Sequence, residues 1–350
     1  MANNFITIDD RRIGLNYPPY VIAEMSANHN GDIENAYKII DMARLAGADC
    51  VKLQTYTPDT LTLDSSLPDF QLTDGLWAGQ SLYSLYKSAF MPWDWHKPLF
   101  EYARKSKITI FSSPFDDTAV DLLEDLNAPA YKIASFEAVD LSLIKYVAET
   151  GKPMIISTGM ANAREIQEAI EVAKESGCKE LAILHCVSGY PAPAEDYNLN
   201  TLLDMREKFN QVTGLSDHTI DNITAIASVA IGSSIIEKHV TLDRNGGGAD
   251  DSFSLESDEL KDLCLGVRTA WRSLGNIDYG RKSSEKSNVK FRRSLYFVKD
   301  IKSGELLTSE NVKSIRPGFG LSPANLSQVI GRRAKIDVDL GTAVSWNLII

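Results

Sequence analysis

The feature that most constrains this chain is an alternation. A short apolar run ends in polar residues, and a helix-length segment follows. The pattern occurs eight times in the first 275 residues. Strand-like runs fall at 20–24, 50–54, 108–113, 130–135, 153–158, 181–187, 212–216 and 235–239. Helical periodicity falls at 33–46, 95–106, 118–126, 141–149, 163–176, 199–209, 220–230 and 257–274. Asp32 is placed to cap the first helix, and Gly47 to end it. Strands that alternate with helices must pair in parallel. Eight such units predict an α/β fold, a closed (β/α)8 TIM barrel. An open doubly wound sheet is the alternative, but no G-x-G-x-x-G follows the first strand.

The last part of the chain has another character. Residues 276–288 are polar and turn-rich, as in a linker. Residues 289–350 carry short β-runs such as Arg293-Ser-Leu-Tyr-Phe-Val. The predicted organisation is a catalytic barrel over 1–275, a linker over 276–288 and a small β-rich domain over 289–350. A module of about 60 residues has a marginal core, so it is expected to dock on something. One connection, 55–94, is unusually long and rich in aromatic residues. It follows a strand, which puts it on the catalytic face, where it is expected to cover substrate.

The formal net charge of −11 argues against a nucleic-acid or membrane-surface binder. The four cysteines form no C-x-x-C pair and read as buried free thiols. Residues 1–12 lack the apolar core of a signal peptide, and no apolar run approaches the roughly 20 residues of a membrane span. A cytoplasmic location is the resulting expectation.

In a (β/α)8 enzyme the chemistry sits at the C-terminal strand ends. Those ends supply Glu24, Lys52 with Gln54, Ser112, Lys132 with Ser135, Ser157, Ser188 with Tyr190, Ser216 with His218, and Glu237 with His239. Two lysines near a barrel axis are costly without an anion. With the serine hydroxyls they read as a cradle for a phosphate or carboxylate. Salt bridges from these lysines to Glu24 or Glu237 are the structural alternative. His218 and His239 end consecutive strands and can hold one divalent metal, leaving open positions for substrate and water. Asp217 reads as a surface residue or a support for a ligand. His29 and His185 are weaker candidates, and His96 reads as an ordinary helix residue.

These stretches, in order, resemble the sialic acid synthase family: Ala-Glu-Met-Ser-Ala-Asn-His-Asn-Gly-Asp (23–32), Val-Lys-Leu-Gln-Thr-Tyr-Thr-Pro-Asp (51–59), Phe-Ser-Ser-Pro-Phe (111–115), Tyr-Lys-Ile-Ala-Ser (131–135), Ile-Ser-Thr-Gly-Met (156–160), Gly-Leu-Ser-Asp-His (214–218) and Ile-Glu-Lys-His (236–239). Arg-Arg-Ser-Leu-Tyr (292–296) and Ser-Ile-Arg-Pro-Gly-Phe-Gly (314–320) resemble its C-terminal antifreeze-like, or SAF, domain. Loops such as Ser-Ala-Asn-His and Ile-Ala-Ser-Phe-Glu-Ala are similar to those of the bacterial branch that makes pseudaminic acid. Ser188 departs from the asparagine usual in the family's loop before Tyr-Pro.

The resemblance implies a transferase that condenses phosphoenolpyruvate with 2,4-diacetamido-2,4,6-trideoxy-L-altrose, adds water and releases phosphate by C–O cleavage. N-acetylneuraminate or legionaminate synthesis from another amino sugar is the alternative. A non-catalytic carbohydrate-binding protein is more remote, since it should lose the Lys and His strand ends. The resemblance also implies roles. His218 and His239 hold Mn2+, Mg2+ or Co2+. Lys52, Ser112, Lys132, Ser135, Ser157, Ser188 and Ser216 bind phosphoenolpyruvate. Gln54, Tyr56, Tyr190 and Asp251 (or Asp250) meet the sugar, and Glu24 transfers a proton or grips the sugar. Arg316 reaches the sugar site of a partner, in a domain-swapped homodimer.

Overall fold

Each barrel strand is a run whose inward residues are apolar at the start and polar at the end. The computed structural model describes residues 5–350. Expectations for residues 1–4 lie outside the described residues. Two short strands come first, β1 (Ile6–Ile8) and β2 (Arg11–Ile13), paired antiparallel. The barrel strands follow: β3 (Tyr20–Glu24), β4 (Cys50–Thr55), β5 (Thr109–Pro114), β6 (Tyr131–Ile133), β7 (Met154–Ser157), β8 (Leu181–Cys186), β9 (Val212–Asp217) and β10 (Ile235–His239). They close in the parallel order β10-β3-β4-β5-β6-β7-β8-β9, the predicted TIM barrel.

The helices are α1 (Ile33–Ala46), α2 (Pro58–Leu61), α3 (Leu82–Ala89), α4 (Trp93–Ser106), α5 (Asp117–Asp125), α6 (Leu141–Glu149), α7 (Ala163–Glu175), α8 (Thr201–Phe209), α9 (Ile223–Ala230) and α10 (Ser257–Leu274). Caps explain several limits. Asp32 accepts the Glu34 N–H at 2.9 Å, and Gly47 ends α1 at φ 92°. Asn162 and Glu165 form a capping box at the start of α7. The long 55–94 connection is not structureless, since it contains α2 and α3. Two threonines and two serines form their capping boxes.

Two apolar layers hold the barrel. One lies between strands and helices, with Ile39, Leu99, Leu123 and Leu263 fully buried. The other fills the interior, where Ile22, Phe111, Ile155 and Leu184 meet. Ile6, Ile8 and Ile13 of the β1–β2 hairpin belong to that interior cluster, beside strand-start residues Tyr20, Cys50 and Ile235. The hairpin therefore plugs the N-terminal end of the barrel. The hairpin was not anticipated from the sequence, because its strands have only three residues each and β2 begins with Arg11 and Arg12.

The four cysteines are free and buried. Among the described residues no helix is long and apolar enough to cross a membrane. The chain divides after Gly275. The second unit, Asn276–Ile350, pairs β11 (Ser294–Phe297) with β12 (Val312–Ile315) around Leu295, Phe297, Val329 and Val344. A 3-10 helix over Ser283–Phe291 runs across the end of the expected linker.

Inside the barrel, Gly214 has no room for a side chain. A Cβ there would lie 2.6 Å from both the Ile235 carbonyl oxygen and Leu184 Cδ2. Gly214→Ala is expected to lower unfolding free energy by about 1–3 kcal/mol, as overpacking does. Urea denaturation measures it; unchanged stability would contradict the packing.

Candidate active site

At the C-terminal mouth lies a cavity of about 390 Å³. Its floor is charged. Glu237 and Ser216 are opposite each other in the β9–β10 register, and Glu24 is opposite both Lys52 and His239. Glu237 Oε1 accepts from Lys132 Nζ at 2.9 Å, lies 3.2 Å from Lys52 Nζ, and accepts from Ser216 Oγ at 3.1 Å. Lys52 Nζ is also 3.3 Å from Glu24 Oε2, and Gln54 Nε2 donates to Glu24 Oε1 at 2.8 Å. All four charged groups are buried. The salt-bridge alternative is thus present in geometry, yet each of these groups also lines the cavity. A lysine ammonium has three donors, so each can add an anionic ligand to the carboxylate it already holds.

Burial alone would raise the Glu237 pKa. The ammonium groups of Lys132 and Lys52 outweigh it and hold this carboxyl well below the usual range. Glu24 goes the other way. Burial, opposed by Lys52 and helped by the nearby Glu237 charge, pushes it up to about 7. Burial lowers Lys132, with Glu237 partly restoring it. Two carboxyls in one site are thereby pushed apart, which suits one to remain charged and the other to exchange a proton.

A hydroxyl cluster stands on the next strands. The Gly159 N–H donates to Ser135 Oγ at 3.2 Å. A Cβ at Gly159 would lie 2.2 Å from Ser188 Oγ and 2.8 Å from Ser135 Oγ. Glycine is required where these hydroxyls converge. Ser157 Oγ is buried and has no hydrogen-bond partner among the described residues. An unpaired buried donor beside Lys132 is a group awaiting an acceptor.

The two imidazoles come together, with ring centroids 5.4 Å apart. His218 Nδ1 bonds the Val187 carbonyl at 2.8 Å, which leaves Nε2 as its remaining nitrogen. Tyr190 lies on His218, with centroids 4.4 Å apart. Burial would lower His218, but Cys186 Sγ at 3.9 Å and the Val187 carbonyl outweigh it and raise its pKa. Burial, with the neighbouring His218 and Lys52 charges, drives His239 well below its ordinary value. Its Nδ1 is buried and without a hydrogen bond, 3.6 Å from Asp250 Oδ2. A neutral imidazole with a free nitrogen is a metal donor. Among the described residues no three His, Cys, Asp or Glu side chains form a metal cage. An ion held by these two imidazoles alone would keep several positions for water or substrate.

Other predicted residues are distributed as follows. Gln54, Tyr56, Ser135, Ser188, Tyr190 and Ser216 line the cavity. Ser112 does not. Phe111 points into the interior cluster, so alternation turns Ser112 outward, where its Oγ lies 2.6 Å from Thr55 Oγ1. Asp251 also turns away from the cavity. Its carboxylate accepts from Thr241 Oγ1 at 2.5 Å, the Gly248 N–H at 2.7 Å and Asn30 Nδ2 at 3.0 Å, holding the glycine loop together. The cavity-lining neighbour is Asp250, which accepts from Ser26 Oγ. Arg316 is exposed on the second unit. Asp217 is buried rather than on the surface, paired with Lys238. His96 is buried against Thr55, His29 packs on Trp95, and His185 bonds the Tyr197 carbonyl.

Glu137 was missed by sequence reasoning. It lies past the strand end, in the 3-10 turn Ser135–Glu137, and lines the cavity. Its Oε2 has no partner among the described residues. Burial raises its pKa from 4.5 to about 7, with Asp140 adding to the rise. The available signal was an acid two residues beyond Ser135. The rim is apolar, built by Leu61, Leu72, Leu85 and Phe115. Trp77 Nε1 donates to the Ala249 carbonyl at 3.0 Å, tying the 55–94 connection to the glycine loop.

A (β/α)8 mouth with paired lysines, converging hydroxyls and two imidazoles defines an enzyme-type site. The chain belongs to the NeuB family, the sialic acid synthases, whose model matches residues 39–279; a SAF domain model matches 292–350. It is 44% identical over 325 residues to a pseudaminic acid synthase of Campylobacter jejuni, covering 93% of this chain and 95% of that protein. It is 42% identical over 330 residues to the Helicobacter pylori pseudaminic acid synthase, covering 94% and 97%. Among solved structures, the spore coat polysaccharide biosynthesis protein SpsE of Bacillus subtilis aligns with a TM-score of 0.68 at 34% identity, covering 99% of each chain.

A carboxyl raised from 4.5 to about 7 in the fold holds its proton more tightly folded than unfolded. Its stabilising contribution is full below pH 4.5 and is lost as pH rises through 7. Glu137→Gln removes that dependence. Denaturation across this range is expected to show wild type losing stability relative to the variant as pH rises; parallel curves would contradict the raised pKa.

Proposed function

We propose that this chain condenses phosphoenolpyruvate with 2,4-diacetamido-2,4,6-trideoxy-L-altrose to form pseudaminic acid and inorganic phosphate. The observation that carries the reading is the buried Lys52–Glu237–Lys132 floor beside the unpartnered Ser157 hydroxyl. Similarity to two pseudaminic acid synthases supports the choice of sugar.

In this reading Lys52, Lys132, Ser135, Ser157, Ser188 and Ser216 hold the phosphate and carboxylate of phosphoenolpyruvate. Gln54, Tyr56, Tyr190, Asp250 and Glu137 meet the open-chain sugar. The apolar rim suits acyl methyls and a deoxy carbon better than a fully hydroxylated chain. Carbon 3 of phosphoenolpyruvate bonds to the aldehyde carbon, and the aldehyde oxygen takes a proton. A water oxygen bonds to carbon 2 and loses its proton. The hydroxyl on carbon 2 then gives up its remaining proton to the departing phosphate as the bond from carbon 2 to the phosphate oxygen breaks, leaving the keto acid and phosphate. Glu24 and Glu137, both near pH 7, are suited to these proton transfers. His218 and His239 would hold Mn2+, Mg2+ or Co2+, which supplies Lewis acidity toward the aldehyde oxygen and orients water.

Purified protein given phosphoenolpyruvate and a divalent ion is expected to release phosphate with this sugar and at least tenfold more slowly with N-acetylmannosamine or the legionaminate precursor. Faster turnover of either would overturn the sugar assignment. His218→Ala and His239→Ala are expected to lose Mn2+ binding by calorimetry together with activity. Retained turnover under chelation would reject the metal.

We also propose that the second unit acts in a domain-swapped homodimer, with Arg316 contacting the sugar bound by its partner. Support comes from the family resemblance and from the exposure of Arg316 beside exposed Ile315 and Phe319. Mixing Arg316→Ala protein with His239→Ala protein, each inactive alone, is expected to restore about a quarter of wild-type activity, since random exchange makes half the dimers mixed and each carries one intact site. No restoration after subunit exchange would contradict the arrangement.

A further inference from the structure

Two buried charges take no part in the chemistry above. The β9–β10 register places Glu237 opposite Ser216 and Lys238 opposite Asp217. Ser216 and Glu237 face the cavity, so alternation sends Asp217 and Lys238 outward, under the helices. Lys238 and Asp217 are each 1% exposed. Lys238 Nζ donates to Asp217 Oδ2 at 2.8 Å, the Thr219 carbonyl at 2.5 Å and Thr219 Oγ1 at 3.2 Å. Asp217 Oδ1 in turn accepts the Thr219 N–H at 2.9 Å.

The ammonium thus ties β10 to the residues on both sides of His218. From another side, the Tyr197 phenol oxygen accepts the His218 N–H at 2.6 Å. His239 is the residue after Lys238. The ion pair is the last paired rung below the two imidazoles. A buried ion pair is a poor choice for stability alone, since an apolar pair of similar volume serves as well or better. What it adds is direction: two hydrogen bonds fix the Thr219 turn relative to β10, and a third holds Asp217.

We propose that Lys238, with Asp217 and Thr219, is a positioning device that sets the separation of the His218 and His239 rings so that both can bind one divalent ion. This rests on the metal reading given under Proposed function. Lys238 touches no substrate. It acts through the backbone that carries the two imidazoles, and such supports commonly change metal affinity 10–100-fold.

The test compares full-length metal-free wild type with the double variant Asp217→Asn/Lys238→Met, which removes both charges together. Mn2+ binding is followed by calorimetry and electron paramagnetic resonance. Phosphoenolpyruvate binding without metal is the control for general damage. The expected result is 10–100-fold weaker Mn2+ binding and an altered Mn2+ spectrum, with metal-free phosphoenolpyruvate affinity within about twofold of wild type. Unchanged Mn2+ affinity in the variant overturns the positioning role alone, and so does a parallel loss of phosphoenolpyruvate binding. If wild type shows no Mn2+ binding that His239→Ala abolishes, the metal reading itself falls, and the positioning role with it. Should the double variant not fold, Lys238→Arg decides. A loss of threefold or more in Mn2+ affinity with the control unchanged supports the role, and wild-type affinity overturns it.

Discussion

The site depends on one carboxylate. Glu237 sits at the barrel mouth between two ammonium groups, and each of the three is nearly inaccessible to water. Removing Glu237 leaves two buried ammonium groups without their shared partner, an error worth about 3–5 kcal/mol. The three residues are therefore tied together before any ligand arrives. The net charge of the trio is positive, and Glu24 is pushed up to about 7 and so only partly offsets it near neutrality. A preorganised cationic floor in a low dielectric attracts a small dianion far more strongly than the same lysines would in water. This is how an acidic chain with a net charge of −11 can hold an anion.

Much of the remaining barrel serves that floor. The β1–β2 hairpin seals the end opposite the cavity with Ile6, Ile8 and Ile13. Gly214 and Gly159 remove side chains where strands or hydroxyls must approach closely. On the other side, Tyr56 packs on Tyr86 and Phe115, and Trp77 reaches the Ala249 carbonyl. The cavity is thus polar at its base and apolar at its rim. A ligand with a charged end and an acylated, partly deoxygenated end matches both halves.

The barrel was legible because its signal is repeated. Eight alternations with helical periods at 33–46, 141–149 and 257–274 survive any single error, and those three helices end where the periodicity does. Lys52, Lys132, His218 and His239 were legible because strand ends point to one place. What failed was local parity. Ser112 and Ser113 are adjacent, and only the inward packing of Phe111 decides which one faces the axis. Asp250 and Asp251 are adjacent too, and the hydrogen bonds that commit Asp251 come from Gly248, Asn30 and Thr241, which sequence cannot bring together. Glu137 was hidden because it follows its strand in a 3-10 turn, where no period of two applies. The Lys238–Asp217 pair needed register, since neither residue signals that both point beneath the helices.

The most direct measurement is a crystal structure with phosphoenolpyruvate bound in the absence of sugar. The expected result is the ligand at the barrel mouth, with oxygens within 3.2 Å of Lys52 Nζ, Lys132 Nζ and the Ser157 hydroxyl, all ordinary hydrogen-bond distances, while Glu237 keeps both lysines. Ligand bound elsewhere would contradict the account, as would ligand in the cavity with both ammonium groups engaged only by Glu237 and Glu24.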